Sequence, residues 1–253
     1  TIREAVGVLR PGESTILLPD LLDGLRPGSE EIQLSISRRP DLRIDRQLDY
    51  LIDYPYGCAE QVSSRLFSLL LASDLLSEQS RQDSLWRARF QELDLMIESG
   101  ISHLAYPLQR SDGSFSLWRG SRYGNLWLDA YVMDVLGEAR RAGFDVPAGL
   151  WQRGIQHLRN ETNVPANARS PQQVAGLAYA LHVVAREGDD VAASARYLLN
   201  RDLIRRAGFV SMARLGAALA LSGDTRQANV AFERADAMRR LELRTDGTSR
   251  RTT

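Results

Sequence analysis

After Pro40 almost every stretch of the chain repeats its apolar residues at helical spacing, and the breaks between stretches are short. Segments at about 41–52, 59–78, 82–106, 125–142, 147–159, 171–187, 190–200, 208–222 and 224–243 read as helices. Ser111-Asp112-Gly113, Gly188-Asp189-Asp190 and Gly223-Asp224 punctuate them, and Gly and Asp do so because they tolerate turn conformations. Such short connections make consecutive helices antiparallel neighbours. Val174 to Val184 and Leu215 to Leu221 are apolar on more than one face, so those helices must be buried between others. Inner apolar and outer amphipathic helices in successive hairpins predict a mainly α chain folded as an α/α toroid.

Residues 1–40 differ in kind. Ser14 to Leu18 is a short apolar run, and Glu31 to Ser37 alternates apolar and polar residues, as a half-buried strand does. Pro11-Gly12, Asp23-Gly24 and Pro27-Gly28 mark turns. Two strands cannot build a core alone. The expectation is a short N-terminal β arm at 1–40, belonging to or packed on a flanking β-domain, followed by a helical domain at 41–253.

With 253 residues the chain can bury a substantial core. Hydrophobic residues at 43% and charged residues at 25% suit a globular protein. The formal net charge is zero, which gives no electrostatic basis for binding nucleic acid or an anionic membrane. No apolar stretch is long enough to insert in a bilayer. No cofactor and no metal are expected. Thr1 reads as a cut end, so the chain is expected to be a piece of a longer protein.

One cysteine is present, in Tyr54-Pro55-Tyr56-Gly57-Cys58-Ala59-Glu60-Gln61. Pro55 and Gly57 break what precedes them, and helical spacing begins at Ala59. Cys58 and Gln61 therefore stand three apart across a loop-to-helix junction, on one face and roughly 5–6 Å apart at Cβ. A thiol and a carboxamide so close could condense, with loss of ammonia, into an internal thioester. Two other readings stay open: a buried structural thiol and a cysteine peptidase. The peptidase needs a histidine partner, and His103, His157 and His182 read as ordinary helix-face residues outside any motif.

Gly57-Cys58-Ala59-Glu60-Gln61 resembles the Gly-Cys-Gly-Glu-Gln thioester motif of the alpha-2-macroglobulin and complement superfamily, departing at Ala59. Tyr54-Pro55-Tyr56 is similar to its bacterial branch. Gln109 to Trp118 and Trp127 to Val132 resemble the helical thioester domain in the expected order, so the likeness runs from about Leu42 onward. It implies an α/α toroid beside a β-domain, expected to be incomplete because family domains continue past the loop-like stretch predicted at Arg244 to Ser249. It also implies a thioester between Cys58 and Gln61, and a single-use covalent trap for proteases rather than an enzyme. Tyr54 and Tyr56 would shield the bond, and Glu60 would orient the loop or complement the positive helix end. In the complement-like branch a histidine in a later interhelical turn redirects reactivity to hydroxyls. The matching stretch, about Asn163 to Gln173, has none, which favours attack by lysine amines. The parent protein is expected in the periplasm, anchored to the inner membrane.

All 32 basic residues are arginine. Codon usage in a GC-rich genome accounts for this; so does protection, because a chain without lysine cannot acylate its own side chains. Gln109, Gly113 and Phe115 match a Gln-x-x-x-Gly-x-aromatic pattern of α/α toroids, where it ties one helix end to the next turn. Rival readings are a non-reactive scaffold docking a peptidoglycan synthase, a toroid enzyme using Asp112, Asp129 or Glu138, and a helical repeat. The enzyme reading is the weaker for these acids reading as caps or solvated charges. The repeat rests on similar segments ending at Gly188 and Gly223, 35 residues apart.

Overall fold

A computed structural model describes Arg10, Gly12 and residues 57–75, 84–122 and 124–249. The chain divides into two units, Thr1–Arg43 and Ile44–Thr253, and every described helix lies in the second. The expected β arm, the expected helix at 41–52 and Tyr54 and Tyr56 fall outside the described residues.

The helices are α1 (Ala59–Leu75), α2 (Ser84–His103), α3 (Leu126–Arg141), α4 (Ala148–Thr162), α5 (Pro171–Arg186), α6 (Ala192–Leu199), α7 (Asp202–Arg206), α8 (Phe209–Leu221) and α9 (Thr225–Ser249). Helix α2 stops short of the predicted 106. Pro107 pushes the residue before it out of helical dihedrals, and Tyr106 stands at φ −150°, ψ 106°. Helix α7 was not expected, since a single turn is too short to show a period. The loop-like end predicted from Arg244 is instead helical to Ser249, because extending an existing helix costs far less than nucleating one.

Helices α1, α3, α5 and α8 pack in succession side by side and form the inner layer. Against them lie α2 on α1, α4 on α3 and α5, α6 and α7 on α5 and α8, and α9 on α8. This is the α/α toroid. Its core runs through the interleaved layers: Leu66 and Leu69 of α1, Leu93 and Ile97 of α2, Met133 and Leu136 of α3, Leu158 of α4, and Leu215 and Leu219 of α8 are all buried.

Local chemistry sets the helix starts. Asn125 caps α3 by accepting the Leu128 N–H at 3.0 Å. Ser170 and Gln173 form a reciprocal capping box on α5, with Pro171 in the first turn. Polar ties join the inner helices: Arg186 of α5 bonds Asp134 and Glu138 of α3 at 2.7 and 2.6 Å. Tyr179 donates to Asp134 at 2.8 Å and lies under the Arg214 guanidinium of α8. Burial and the Asp134 carboxylate push the Tyr179 phenol well above its ordinary pKa.

Candidate functional site

Cys58 occupies the cap position of α1, its carbonyl accepting the first intrahelical bond from Val62 N–H at 2.9 Å. Its Sγ accepts from the Gln61 N–H at 3.4 Å, and Gln61 Oε1 accepts from the Cys58 N–H at 3.4 Å. This is the reciprocal arrangement of a capping box, with sulfur where serine has its hydroxyl and a carboxamide at the third helical position. The need of the helix for N-terminal partners thus draws the two groups of the motif onto one turn. Cys58 is 4% exposed and Ala59 is fully buried. Gln61 is half-buried, and Glu60 is exposed in the first turn beside the positive helix end.

Two outside groups grip this turn. The Ala59 N–H, an orphan donor of the helix start, finds Leu117 O at 2.9 Å. His103, at the end of α2, places Nε2 3.1 Å from Gly57 O.

Leu117 is held by a small looped-back segment. Gln109 and Phe115 pair in antiparallel fashion, with Arg110 N–H to Ser114 O at 2.9 Å and Ser116 N–H to Leu108 O at 2.8 Å. Gly113 turns the segment at φ +88°, and a Cβ there would stand 2.1 Å from Arg153 O. Gln109 donates to Leu150 O of α4 at 2.8 Å and accepts from Arg153 at 2.7 Å. This is the helix-to-turn tie expected of the Gln-x-x-x-Gly-x-aromatic pattern. Phe115, fully buried, donates its N–H to Asp129 Oδ1 of α3 at 2.7 Å, and Asp129 Oδ2 meets His157 Nε2 of α4 at 3.2 Å.

Three sequence expectations need correction here. Asp129 is neither a helix cap nor solvated: it is 4% exposed and anchors a buried backbone N–H. His157 is its partner rather than a plain surface residue. Burial disfavours the imidazolium, but the hydrogen bond and charge of Asp129 outweigh it and raise the His157 pKa. His103 belongs to the cysteine turn. Neither histidine carried a local signal, since each meets its partner across tens of residues. The other acids of the enzyme reading hold structural posts. Asp112 accepts from Ser114 N–H and Oγ at 3.0 and 2.6 Å, which holds its carboxyl below the ordinary range. Glu138 pairs with Arg186 and Arg141. No group of His, Cys, Asp and Glu that could hold a metal occurs among the described residues.

Residues 33–161 match the family model of the A-macroglobulin TED domain. The alpha-2-macroglobulin of Escherichia coli K12 is 32% identical over 225 residues, which is 85% of this chain but 13% of that protein. The crystal structure of Salmonella alpha-2-macroglobulin reacted with methylamine aligns with a TM-score of 0.63 at 28% identity, over 79% of this chain and 13% of that one. Trypsin-activated alpha-2-macroglobulin from Escherichia coli aligns at 0.59 and 29% identity, over 72% of this chain and 13% of that one. This chain therefore spans about an eighth of the length of such relatives. The matched residues, the identity and the shared helical fold agree, and the chain belongs to the A-macroglobulin TED, or thioester, domain family.

Proposed function

We propose that this chain is the thioester-bearing module of a bacterial alpha-2-macroglobulin that traps attacking proteases covalently. The observation that carries the reading is the reciprocal contact of Cys58 and Gln61. Sγ attacks Cδ of Gln61, the C–N bond breaks, and ammonia leaves. A stored acyl group remains, joined to sulfur. When a lysine amine of a protease attacks Cδ, the C–S bond breaks and an amide forms. The departing thiolate collects on a sulfur that already accepts the Gln61 N–H at the positive end of α1. Because a stabilised thiolate leaves faster, the helix start activates the acyl carbon. The reaction happens once per molecule.

Relatives support the chemistry in two ways: one was crystallised after reaction with methylamine and another after activation by trypsin. The chain from Asn163 to Gln173, which carries no histidine to redirect attack to hydroxyls, leads into the Ser170–Gln173 cap of α5. Amines are thus the proposed nucleophiles. We place the parent protein in the periplasm, tethered to the inner membrane, on its likeness to the bacterial branch of the family; the single cysteine of this chain suits an exported protein and a reducing compartment alike.

Intact mass tests the reading in the full protein that carries this chain. The expected mass is lower by one ammonia, and methylamine should restore one titratable thiol while glycerol releases little. Gln61→Ala should show its full mass and a free thiol from the start. A parent protein of full mass in fresh preparations would end the proposal, and faster release by glycerol would end the preference for amines.

A further inference from the structure

We propose that the Gly57–Cys58 peptide is the oxyanion donor of the thioester, and that His103 is the positioning residue behind it. The inference rests on the thioester reading above. The peptide is engaged on both edges. Its N–H points at Gln61 Oε1 at 3.4 Å, and its C=O lies 3.1 Å from His103 Nε2. A carbonyl can only accept, so Nε2 carries the proton and donates. The result is a chain of two aligned hydrogen bonds, from imidazole N–H to carbonyl, and from the same amide N–H to the acyl oxygen.

Oε1 of Gln61 becomes the carbonyl oxygen of the thioester. As an amine adds to Cδ, the C=O electron pair moves onto Oε1, and the Cys58 N–H faces that developing charge. The bond then shortens from its present length, as such contacts do when charge builds. The pair returns to re-form C=O, the C–S bond breaks, sulfur leaves as thiolate, and the ammonium proton of the new amide is lost to solvent. A donor on the carbonyl edge strengthens the N–H on the other edge and fixes its aim. His103 touches neither the acyl group nor the nucleophile; it acts through the peptide.

The same contact assigns a reason to Gly57. A Cβ there would stand 3.2 Å from His103 Nε2, so a side chain would crowd the imidazole that the carbonyl needs. No positive φ requires glycine at this position.

The experiment uses His103→Ala, His103→Gln and Gly57→Ala in the full protein. Thioester content is read by intact mass, melting temperature checks the fold, and thiol release is followed under excess methylamine. His103→Ala should still lose one ammonia yet react roughly tenfold more slowly. Glutamine can present an N–H near the place of Nε2, so His103→Gln should recover to within about threefold of the parent, and Gly57→Ala should fall between. Parent-like rates in His103→Ala overturn the inference. So does a His103→Gln rate no better than alanine, since an N–H donor to the Gly57 carbonyl would then not be what sets the rate. A parent protein without ammonia loss fails at the mass measurement, overturning the thioester reading and this inference with it.

Discussion

Gly113 occupies a place no other residue can take. Its φ of +88° is left-handed, and a Cβ would lie 2.1 Å from the Arg153 carbonyl of α4, a backbone atom with no freedom to retreat. Gly113→Ala must strain the turn or push the looped segment off α4. A loss of about 2–4 kcal/mol is expected, measured as the shift in the urea unfolding midpoint. A variant of unchanged midpoint would mean that the segment can move, and that Leu117 is not fixed under Ala59 as described. At this scale the sequence was legible where chemistry is local. The spacing of Cys58 and Gln61 pointed to one face, and their mutual hydrogen bonds follow from the unsatisfied donors of a helix start. Ala59, the departure from the usual motif, sits in the first turn in ordinary helical surroundings, where glycine's extra freedom is not needed. His103 and Asp129 were illegible because their partners, Gly57 and Phe115, lie on other elements.

Between elements, the pair of Asp129 on α3 and His157 on α4 clamps the segment that ends at Leu117. His157 has a folded pKa above its ordinary 6.5: burial opposes the charge, but the Asp129 hydrogen bond and the charges of Asp129, Glu161 and Asp112 prevail. A group with a raised folded pKa binds its proton more tightly in the native state. Its stabilising contribution is complete below the unfolded value and is lost as pH rises through the folded one. Unfolding midpoints should therefore hold below the unfolded value of 6.5 and decline as pH rises above it through the raised folded value. His157→Gln should flatten that decline. Asp129→Asn should flatten it too while keeping an acceptor for Phe115 N–H, so it should cost less than Asp129→Ala, which strands a buried donor. A decline that persists in both His157→Gln and Asp129→Asn would assign it elsewhere. Helix existence was readable from apolar spacing; helix ends were less so. Ile97, Ile101 and Leu104 carried the period past His103, although Pro107 was in view to stop it.

For the whole molecule, the toroid was readable because helices such as α5 and α8 are apolar on several faces and joined by short breaks, which leaves only layered packing. A property spread over the entire chain, its 32 arginines without a lysine, bears on the proposed thioester. Guanidinium stays protonated and does not attack a thioester, whereas lysine keeps a small neutral fraction that does. Arg119 is exposed and lies two residues beyond the carbonyl that meets Ala59. Arg119→Lys keeps the charge and supplies a primary amine. A tethered amine acts at an effective concentration of about millimolar or more, so the thioester should decay several-fold faster with no amine added. Mass identifies the route. Self-acylation frees the thiol while the chain remains one ammonia light, because the amide formed replaces the thioester without loss or gain of atoms. Hydrolysis also frees the thiol but adds a water. Arg119→Gln, with neither charge nor amine, separates the nucleophile from any loosening of the loop. If Arg119→Lys decays at the parent rate, or only with added water, the arginine bias confers no protection at this position and codon usage suffices to account for it.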